Sequence, residues 1–123
     1  MYKIRFYVNR KKEAPVKEYI RYLKEKNDKD SRIKLNKIED LIKSLEKYGL
    51  DIGMPKIRRI DNELWELRPI RDRIFFFSYH NEEFVLLHYF YKKTNKTPIK
   101  EIKKARKEME YYIAWRNKNG EKN

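Results

Sequence analysis

Charged side chains interrupt the stretch between residues 56 and 98, which is otherwise rich in residues that favour β-strands. An arginine guanidinium can bind two phosphate oxygens, and a lysine crowded by other cations has a lowered pKa that lets it transfer a proton. RNA carries its own nucleophile, the 2′-hydroxyl, so its cleavage requires in-line geometry, proton transfer and positive charge at the phosphate. The residues whose types and spacing fit this chemistry are Arg58, Glu66, Arg68, Arg73, Lys92 and Lys93.

A structural interpretation accounts for the same residues. An ion pair of Glu66 with Arg68 or Arg73 on a solvated sheet face would give the same pattern. His88, Trp65 and the aromatic run 75–77 are more typical of core residues than of a catalyst or a base-stacking platform. The chain has no Ser-His-Asp set, glycine-rich phosphate loop or convincing set of metal ligands, so no cofactor is expected.

Size and charge limit the class of protein. The 123 residues predict one domain spanning 1–123, and 40% apolar residues are too many for a disordered chain. Lysine and arginine number 32 against 19 acidic residues, which favours a polyanionic partner such as nucleic acid, an acidic protein or an anionic membrane, although an AT-rich genome could also give many lysines. With no cysteine, signal peptide or membrane span in the sequence, we expect a cytoplasmic protein without a membrane partner.

The elements that must position the charged residues follow from hydrophobic periodicity. Alternation predicts a half-buried strand over 2–8, with Tyr2, Ile4, Phe6 and Val8 on one side. Apolar stripes predict a helix opened by Pro15 and a second helix ended by Gly49, which together form a hairpin. Strands are predicted over 56–60, 64–70, 73–79 and 84–91, followed by a helix with Thr97 as its N-cap and Pro98 as its first residue.

This order predicts an α+β domain, in which the helical hairpin covers one face of a mainly antiparallel sheet and the other face is only partly covered. Because side chains alternate across a strand, Glu66 and Arg68 share a face and Arg73 lies on the same side as Phe75. Arg58 joins them across the neighbouring strand. We therefore expect a shallow, basic sheet surface, with Lys92 and Lys93 at its end.

Several segments together resemble one known family, the HigB-type branch of the RelE superfamily of toxin–antitoxin toxins. They are the ELR strand in 64–68, the arginine-containing strand 72–77, the LLHxFxKKT-like strand 85–94 and the helix opening in 96–98 and 101–105. The similarity covers nearly the whole chain. It implies a RelE-like microbial RNase fold, with a twisted antiparallel sheet, an N-terminal helical hairpin on one face and a C-terminal helix.

The resemblance also implies an activity and partners. Members of this superfamily cleave mRNA, usually in the ribosomal A site and without a metal, and a HigA-type helix-turn-helix antitoxin blocks them and links them to operator DNA. Matched by position, Arg68, Arg73 and the pair Lys92 and Lys93 correspond to the basic residues of the family's active surface. Arg58 stands where many members carry a basic residue.

This chain has no histidine after His88, whereas some HigB toxins use histidines and a tyrosine near the C-terminus. The acid and base are therefore left open among Lys93, Tyr91 and Glu66, and Lys56, Arg59 and Lys96 are the candidates for holding RNA. The resulting hypothesis is a ribosome-dependent mRNA endonuclease toxin. The alternatives are a non-catalytic basic RNA- or ribosome-binding module, and an inactive relative that acts as an antitoxin co-repressor.

Overall fold

The computed structural model describes residues 1–120. It contains five strands, three α-helices and two short helical turns, and it confirms the predicted α+β class. The elements are β1 (Lys3–Phe6), α1 (Pro15–Glu25), α2 (Lys29–Tyr48), β2 (Ile57–Arg59), β3 (Leu64–Leu67), β4 (Asp72–Tyr79), β5 (Glu83–Tyr91) and α3 (Ile99–Trp115), with a 3-10 turn at Gly49–Ile52 and a π-helical turn at Arg116–Gly120. None of the helices described is long and apolar enough to cross a membrane.

The five strands form one sheet in the order β1-β5-β4-β3-β2. Strands β2 to β5 pair antiparallel in sequence order, as their short polar connections predicted. Strand β1 pairs parallel with β5 and lies at the edge of the sheet. It precedes the hairpin, so the helical hairpin is not the first element of the chain.

Helices α1 and α2 cover one side of the sheet, which we call the hairpin face. Their buried residues pack with Ile57, Leu67, Ile74 and Phe76 of the strands. Asp28 is the N-cap of α2, and its carboxylate accepts a hydrogen bond of 3.0 Å from the Ser31 N–H. A polar contact also joins the hairpin to the sheet at Tyr19 and Asp72, where the Tyr19 hydroxyl donates to the carboxylate at 3.0 Å.

Helix α3 packs on the opposite side, which we call the α3 face. This helix gives the second face its partial cover, since Ala105, Met109 and Tyr112 pack over a second core. The helix is held by His88, a core residue that contacts Glu108 at 2.5 Å and Glu101 at 2.9 Å. His88 lies where the β4–β5 register shifts between Ile74 and Phe76, so the irregularity turns a polar side chain towards α3.

Several predicted boundaries were wrong by a few residues. Helix α3 starts at Ile99, with Pro98 as its N-cap and no capping side chain, so Thr97 is not the cap. Strand β3 ends at Leu67 because Pro69 has no N–H to donate and the chain turns there, with the Asp72 N–H bonded to the Pro69 carbonyl. Strand β1 ends at Phe6, and Val8, predicted to point inward, is 47% exposed.

Candidate functional site

Five charged residues meet on the α3 face, beyond the first residues of α3, where β2, β3, β4 and the end of β5 lie side by side. Arg58 and Glu66 are directly opposite each other in the β2–β3 pair. Arg73 and Arg68 also interact electrostatically with the Glu66 carboxylate, and Lys92 interacts electrostatically with the other four residues. We call this group the Glu66 cluster; it consists of Arg58, Glu66, Arg68, Arg73 and Lys92.

Glu66 is the buried centre of the cluster. Its side chain is 1% exposed, which raises the pKa of its carboxyl by desolvation, while Arg73, Arg58 and Arg68 act in the opposite direction. The Thr97 hydroxyl donates a hydrogen bond of 3.4 Å to Glu66 Oε1. A carboxylate that is buried among cations holds their side chains together, since each gains from proximity to it.

Arg73 and Arg68 differ in how firmly they are held. Arg73 is 6% exposed, and its Nη1 donates hydrogen bonds of 2.9 Å to the carbonyls of both Ile70 and Asp72. Arg68 follows β3, where its Nε lies 3.7 Å from Glu66 Oε2. In the part of the chain that the structure describes, the buried Nε atoms of both arginines have no hydrogen-bond acceptor. Because both Nε atoms are buried, any contact with an external anion has to come from the terminal nitrogens of the guanidinium groups.

Lys92 lies just beyond β5 and is only partly buried. The pKa of its ammonium group is lowered, first by desolvation and then by the neighbouring Arg73 and Arg68. Its backbone is fixed by a hydrogen bond of 2.8 Å from its N–H to the Arg71 carbonyl. Burial and cation neighbours lower the pKa of Arg73 as well.

The cluster contains four cations and one carboxylate, so it suits a multivalent anion such as a phosphodiester that becomes more negative during reaction.

The turn before β4 has a conformation that is unusual for its sequence. Ile70 has a φ of 48°, in the left-handed region that β-branched residues seldom adopt. This conformation places the Ile70 carbonyl against Arg73 Nη1. Strain of this kind persists only where surrounding contacts fix it, and it is frequent at functional sites.

Two predicted site residues lie on the other side of the sheet. The Tyr91 ring contacts Lys34 of α2 and Arg71, at 5.3 and 5.6 Å from its centroid, which places it on the hairpin face and away from Glu66. Arg59 also points to the hairpin face, over the Trp65 ring, and donates to the carbonyls of the β2–β3 turn. Neither side chain faces the Glu66 cluster, because alternate residues of a strand face opposite ways; the proton-transfer role of Tyr91 and the RNA-holding role of Arg59 stay predictions.

Lys93, Lys56 and Lys96 are exposed and form no side-chain ion pair within residues 1–120. The backbone carbonyls of Lys56 and Lys96 accept hydrogen bonds from the Arg68 N–H and the Thr94 hydroxyl, respectively. The expectation that Lys93 joins Lys92 in one cluster is therefore not supported by a contact. Thr97, by contrast, contacts Glu66 and was missed, because its position before a proline indicated a helix cap.

The residues expected to form a shallow basic surface differ in their exposure. Glu66 and Arg73 form a buried floor, whereas Arg58 is exposed and Lys92 and Arg68 lie between these extremes. A ligand would therefore contact Arg58, Arg68 and Lys92 first. Among residues 1–120, no group of three or more histidine and acidic residues is arranged to hold a metal ion.

Comparison with known proteins identifies the family. A search of curated proteins gives no match. The family described as "Phage derived protein Gp49-like (DUF891)" matches residues 19–110, which span α1 to most of α3 and include every residue of the Glu66 cluster. Because this match covers about three quarters of the 123 residues, the chain belongs to the Gp49-like phage-derived protein family, a family of RelE-like and toxin-like proteins.

Proposed function

We propose that this protein is the toxin of a type II toxin–antitoxin system and acts as a metal-independent mRNA endonuclease on the ribosome, with a RelE-like fold of the HigB type. The observation that carries the proposal is the Glu66 cluster, in which four cations converge on one buried carboxylate on one face of the sheet. Family membership supports the toxin class, and the net charge of +13 suits a partner made of RNA.

In the proposed reaction, the 2′-hydroxyl of one nucleotide attacks the adjacent phosphate. The bond from phosphorus to the 5′-oxygen breaks, which leaves a 2′,3′-cyclic phosphate and a 5′-hydroxyl. The hydroxyl loses a proton and the leaving oxygen gains one, so no other reactant is consumed. Negative charge develops on the phosphate oxygens at the transition state, and this is the charge that guanidinium groups would stabilise.

We assign roles by position within the cluster. Arg58 and Arg68 bind the phosphate, since Arg58 is exposed and Arg68 is partly exposed, and Arg73 supports them from the buried floor. Lys92 transfers a proton, because its lowered pKa lies closer to neutral pH than that of an ordinary lysine and its side chain stays partly accessible. Glu66 is a positioning residue that holds the cations together, as its burial leaves little room for contact with RNA.

A direct test maps RNA ends after expression in growing bacteria. Wild-type protein should arrest growth and produce mRNA fragments with 5′-hydroxyl ends at defined codon positions. The double variant Arg58→Ala/Arg68→Ala should lose both effects, while Lys37→Ala/Lys107→Ala, which removes the same charge from exposed helix surfaces, should retain them. Purified protein with mRNA, with and without ribosomes, then measures ribosome dependence. Cleavage by the Arg58→Ala/Arg68→Ala variant at the wild-type level would contradict the proposal.

A non-catalytic basic module is the second candidate, favoured by the hydrogen bonds that tie Arg73 to two backbone carbonyls. Such a protein would bind RNA or ribosomes with an affinity that falls by roughly a thousandfold or more between about 50 and 200 mM salt if at least six phosphates are contacted. It would produce no new RNA ends. The same end-mapping experiment therefore separates the two functions.

The proposal includes an antitoxin, of the HigA helix-turn-helix type, through which the pair would bind operator DNA. The toxin-like family supports a partner of this class. Co-expression of the adjacent reading frame should abolish growth arrest, and the two proteins should copurify. A retained toxin relative without activity would copurify in the same way but would not arrest growth when expressed alone.

A further inference from the structure

The outer edge of β1 is open to pairing. In a parallel pair, alternate residues direct both backbone polar groups to the neighbouring strand. The Lys3 and Tyr7 N–H groups donate to β5-side carbonyls at 3.0 Å, so the intervening Ile4 and Phe6 direct theirs outward. The Tyr2 N–H points to the same side and donates to the Glu46 carbonyl of α2. Within residues 1–120, no other backbone hydrogen bond to the outer edge of β1 is formed beyond Tyr2, and β1 is the last strand of the sheet.

A groove follows this edge. It consists of two adjoining depressions of about 710 and 490 Å³ that share Phe6 and Lys17. One extends towards the end of α3, and the other lies against α1 and α2. Apolar side chains line the first depression at Ile4, Val8 and Trp115, and the last two are each 47% exposed.

The walls of the groove are strongly basic. Eight of the lining residues are lysine or arginine, and the single acidic one, Glu39, is paired with Lys24 at 3.6 Å. Lys12 and Lys17 form no ion pair with a carboxylate among residues 1–120. An apolar floor, an open strand edge and excess positive charge therefore coincide.

The loop that carries part of this charge is preformed. Asn9 accepts hydrogen bonds of 2.9 Å on its side-chain oxygen from the N–H groups of both Lys11 and Glu13, and its own N–H donates to the Glu13 carbonyl at 2.8 Å. The Lys12 N–H donates to the Asn9 carbonyl. A ligand would not have to order this segment, which lowers the entropic cost of binding.

We propose that the groove binds an extended acidic segment of another protein, which pairs with the outer edge of β1 and extends the sheet. The outward N–H and C=O groups of Ile4 and Phe6 require both donors and acceptors from the ligand, and a peptide backbone supplies both. RNA phosphates supply acceptors only and would oppose the two carbonyls. A second copy of this chain would bring a net charge of +13 against the same basic walls.

This site lies at the opposite edge of the sheet from β2 and β3, which carry Arg58 and Glu66. Three strands separate the two edge strands, at about 4.8 Å for each step across the sheet. The inference therefore does not depend on RNA cleavage. If the proposed function holds, the acidic segment belongs to the antitoxin, which would then be anchored away from the Glu66 cluster.

The test uses the purified full chain and a labelled synthetic peptide of about ten residues in which glutamate and valine alternate. Two further peptides carry backbone N-methyl groups at every second residue, in one phase or the other. Because a strand directs successive N–H groups to opposite edges, one phase should weaken binding about tenfold or more and the other less than about twofold. Bound peptide should also slow hydrogen exchange at the Ile4 and Phe6 N–H groups.

The variant Lys12→Glu/Lys17→Glu should weaken peptide binding at least about tenfold, while Lys37→Glu/Lys107→Glu, with the same change of charge outside the groove, should not. Equal effects of both N-methylated phases would overturn the proposal. So would unchanged exchange at Ile4 and Phe6 up to about 1 mM peptide, or competition by a short single-stranded RNA of equal charge, which would identify an RNA surface. The assay contains no RNA substrate, so its failure and a failure of the proposed cleavage are separate results.

Discussion

Neighbouring arginines on β2 provide the sharpest test of the Glu66 cluster. Arg58 and Arg59 are both exposed and have the same chemistry, but they face opposite sides of the sheet: Arg58 is opposite Glu66 and Arg59 is opposite Trp65. Replacing each with alanine removes the same charge from the same strand. A difference in activity between the two variants must therefore come from the face of the sheet on which each arginine lies, since net charge and strand propensity change equally.

The expected loss for Arg58→Ala can be worked in two ways. A unit positive charge about 5 Å from a developing negative charge contributes about 3 kcal/mol at an effective dielectric constant of about 20. Removing a single donor from an oxyanion site typically costs about 3 kcal/mol, which corresponds to roughly a hundredfold in rate. Both routes predict that Arg58→Ala lowers the cleavage rate by about two orders of magnitude. Arg59→Ala should change it by less than about threefold.

Arg59→Ala should lower the free energy of unfolding more than Arg58→Ala does, which is the reverse of the order expected for activity. Arg58 makes no hydrogen bond within residues 1–120, so its removal should alter the free energy of unfolding by less than about 0.5 kcal/mol. Arg59 donates to the Asp61 and Asn62 carbonyls at 3.1 and 2.8 Å, and its loss should cost about 1 kcal/mol. Urea denaturation measures this for both variants, and single-turnover cleavage of mRNA on purified ribosomes measures the rate. Equal cleavage rates for the two folded variants would refute the assignment of the active site to the α3 face.

Three further substitutions test other parts of the structure. The lowered pKa of Lys92 means that folding disfavours its protonated form, an effect that is absent above its unfolded pKa near 10.5 and complete once the pH falls below the folded pKa. Lys92→Met should therefore raise the melting temperature slightly at pH 7 and yet lose cleavage. Lys92→Arg should lose the alkaline limb of the wild-type pH–rate profile, because arginine stays protonated. Tyr19→Phe should lower the free energy of unfolding by about 1–3 kcal/mol in urea because it leaves the buried Asp72 without its hydroxyl donor, whereas Tyr22→Phe, at an exposed ring, should change it by less than about 0.5 kcal/mol. His88→Leu should cost at least about 2 kcal/mol, since it strands buried carboxylates of α3, and an unchanged urea midpoint would mean that those carboxylates do not depend on the imidazole.

Alternation along the strands was enough to predict the centre of the site. Because side chains at even positions of β2 and β3 share a face, the sequence pattern alone places Arg58, Glu66 and Arg68 together. Arg73 followed from the adjacent antiparallel strand with a short connection. These are local rules, and a strand that lies inside a meander has little freedom to break them.

The features that could not be predicted from the sequence depend on contacts between residues that are distant in sequence. Tyr91 and Lys93 flank Lys92 in one basic run, and composition alone cannot tell which of three consecutive residues faces the cluster; the structure selects Lys92. The parallel pairing of β1 with β5 could not be predicted either, since about 80 residues separate the paired positions. Glu66 is buried because α3 and Thr97 lie next to it. The hydrophobic pattern around Glu66 does not predict where those residues lie.

The electrostatics of the cluster separate it from two other carboxylates of this molecule, those of Asp28 and Glu83. Elsewhere, hydrogen bonds to Asp28 and to Glu83 lower the pKa of each carboxyl, so folding stabilises those charges. In the cluster the direction is reversed: desolvation is the leading cause that raises the pKa of Glu66 and lowers those of Arg73 and Lys92. Desolvation therefore exceeds the attraction between these charges, as it also can in a buried ion pair with a structural role. A group of charges that folding disfavours is consistent with a site that gains its compensation from a ligand, and a phosphate that becomes more negative during the reaction is a ligand that would supply it.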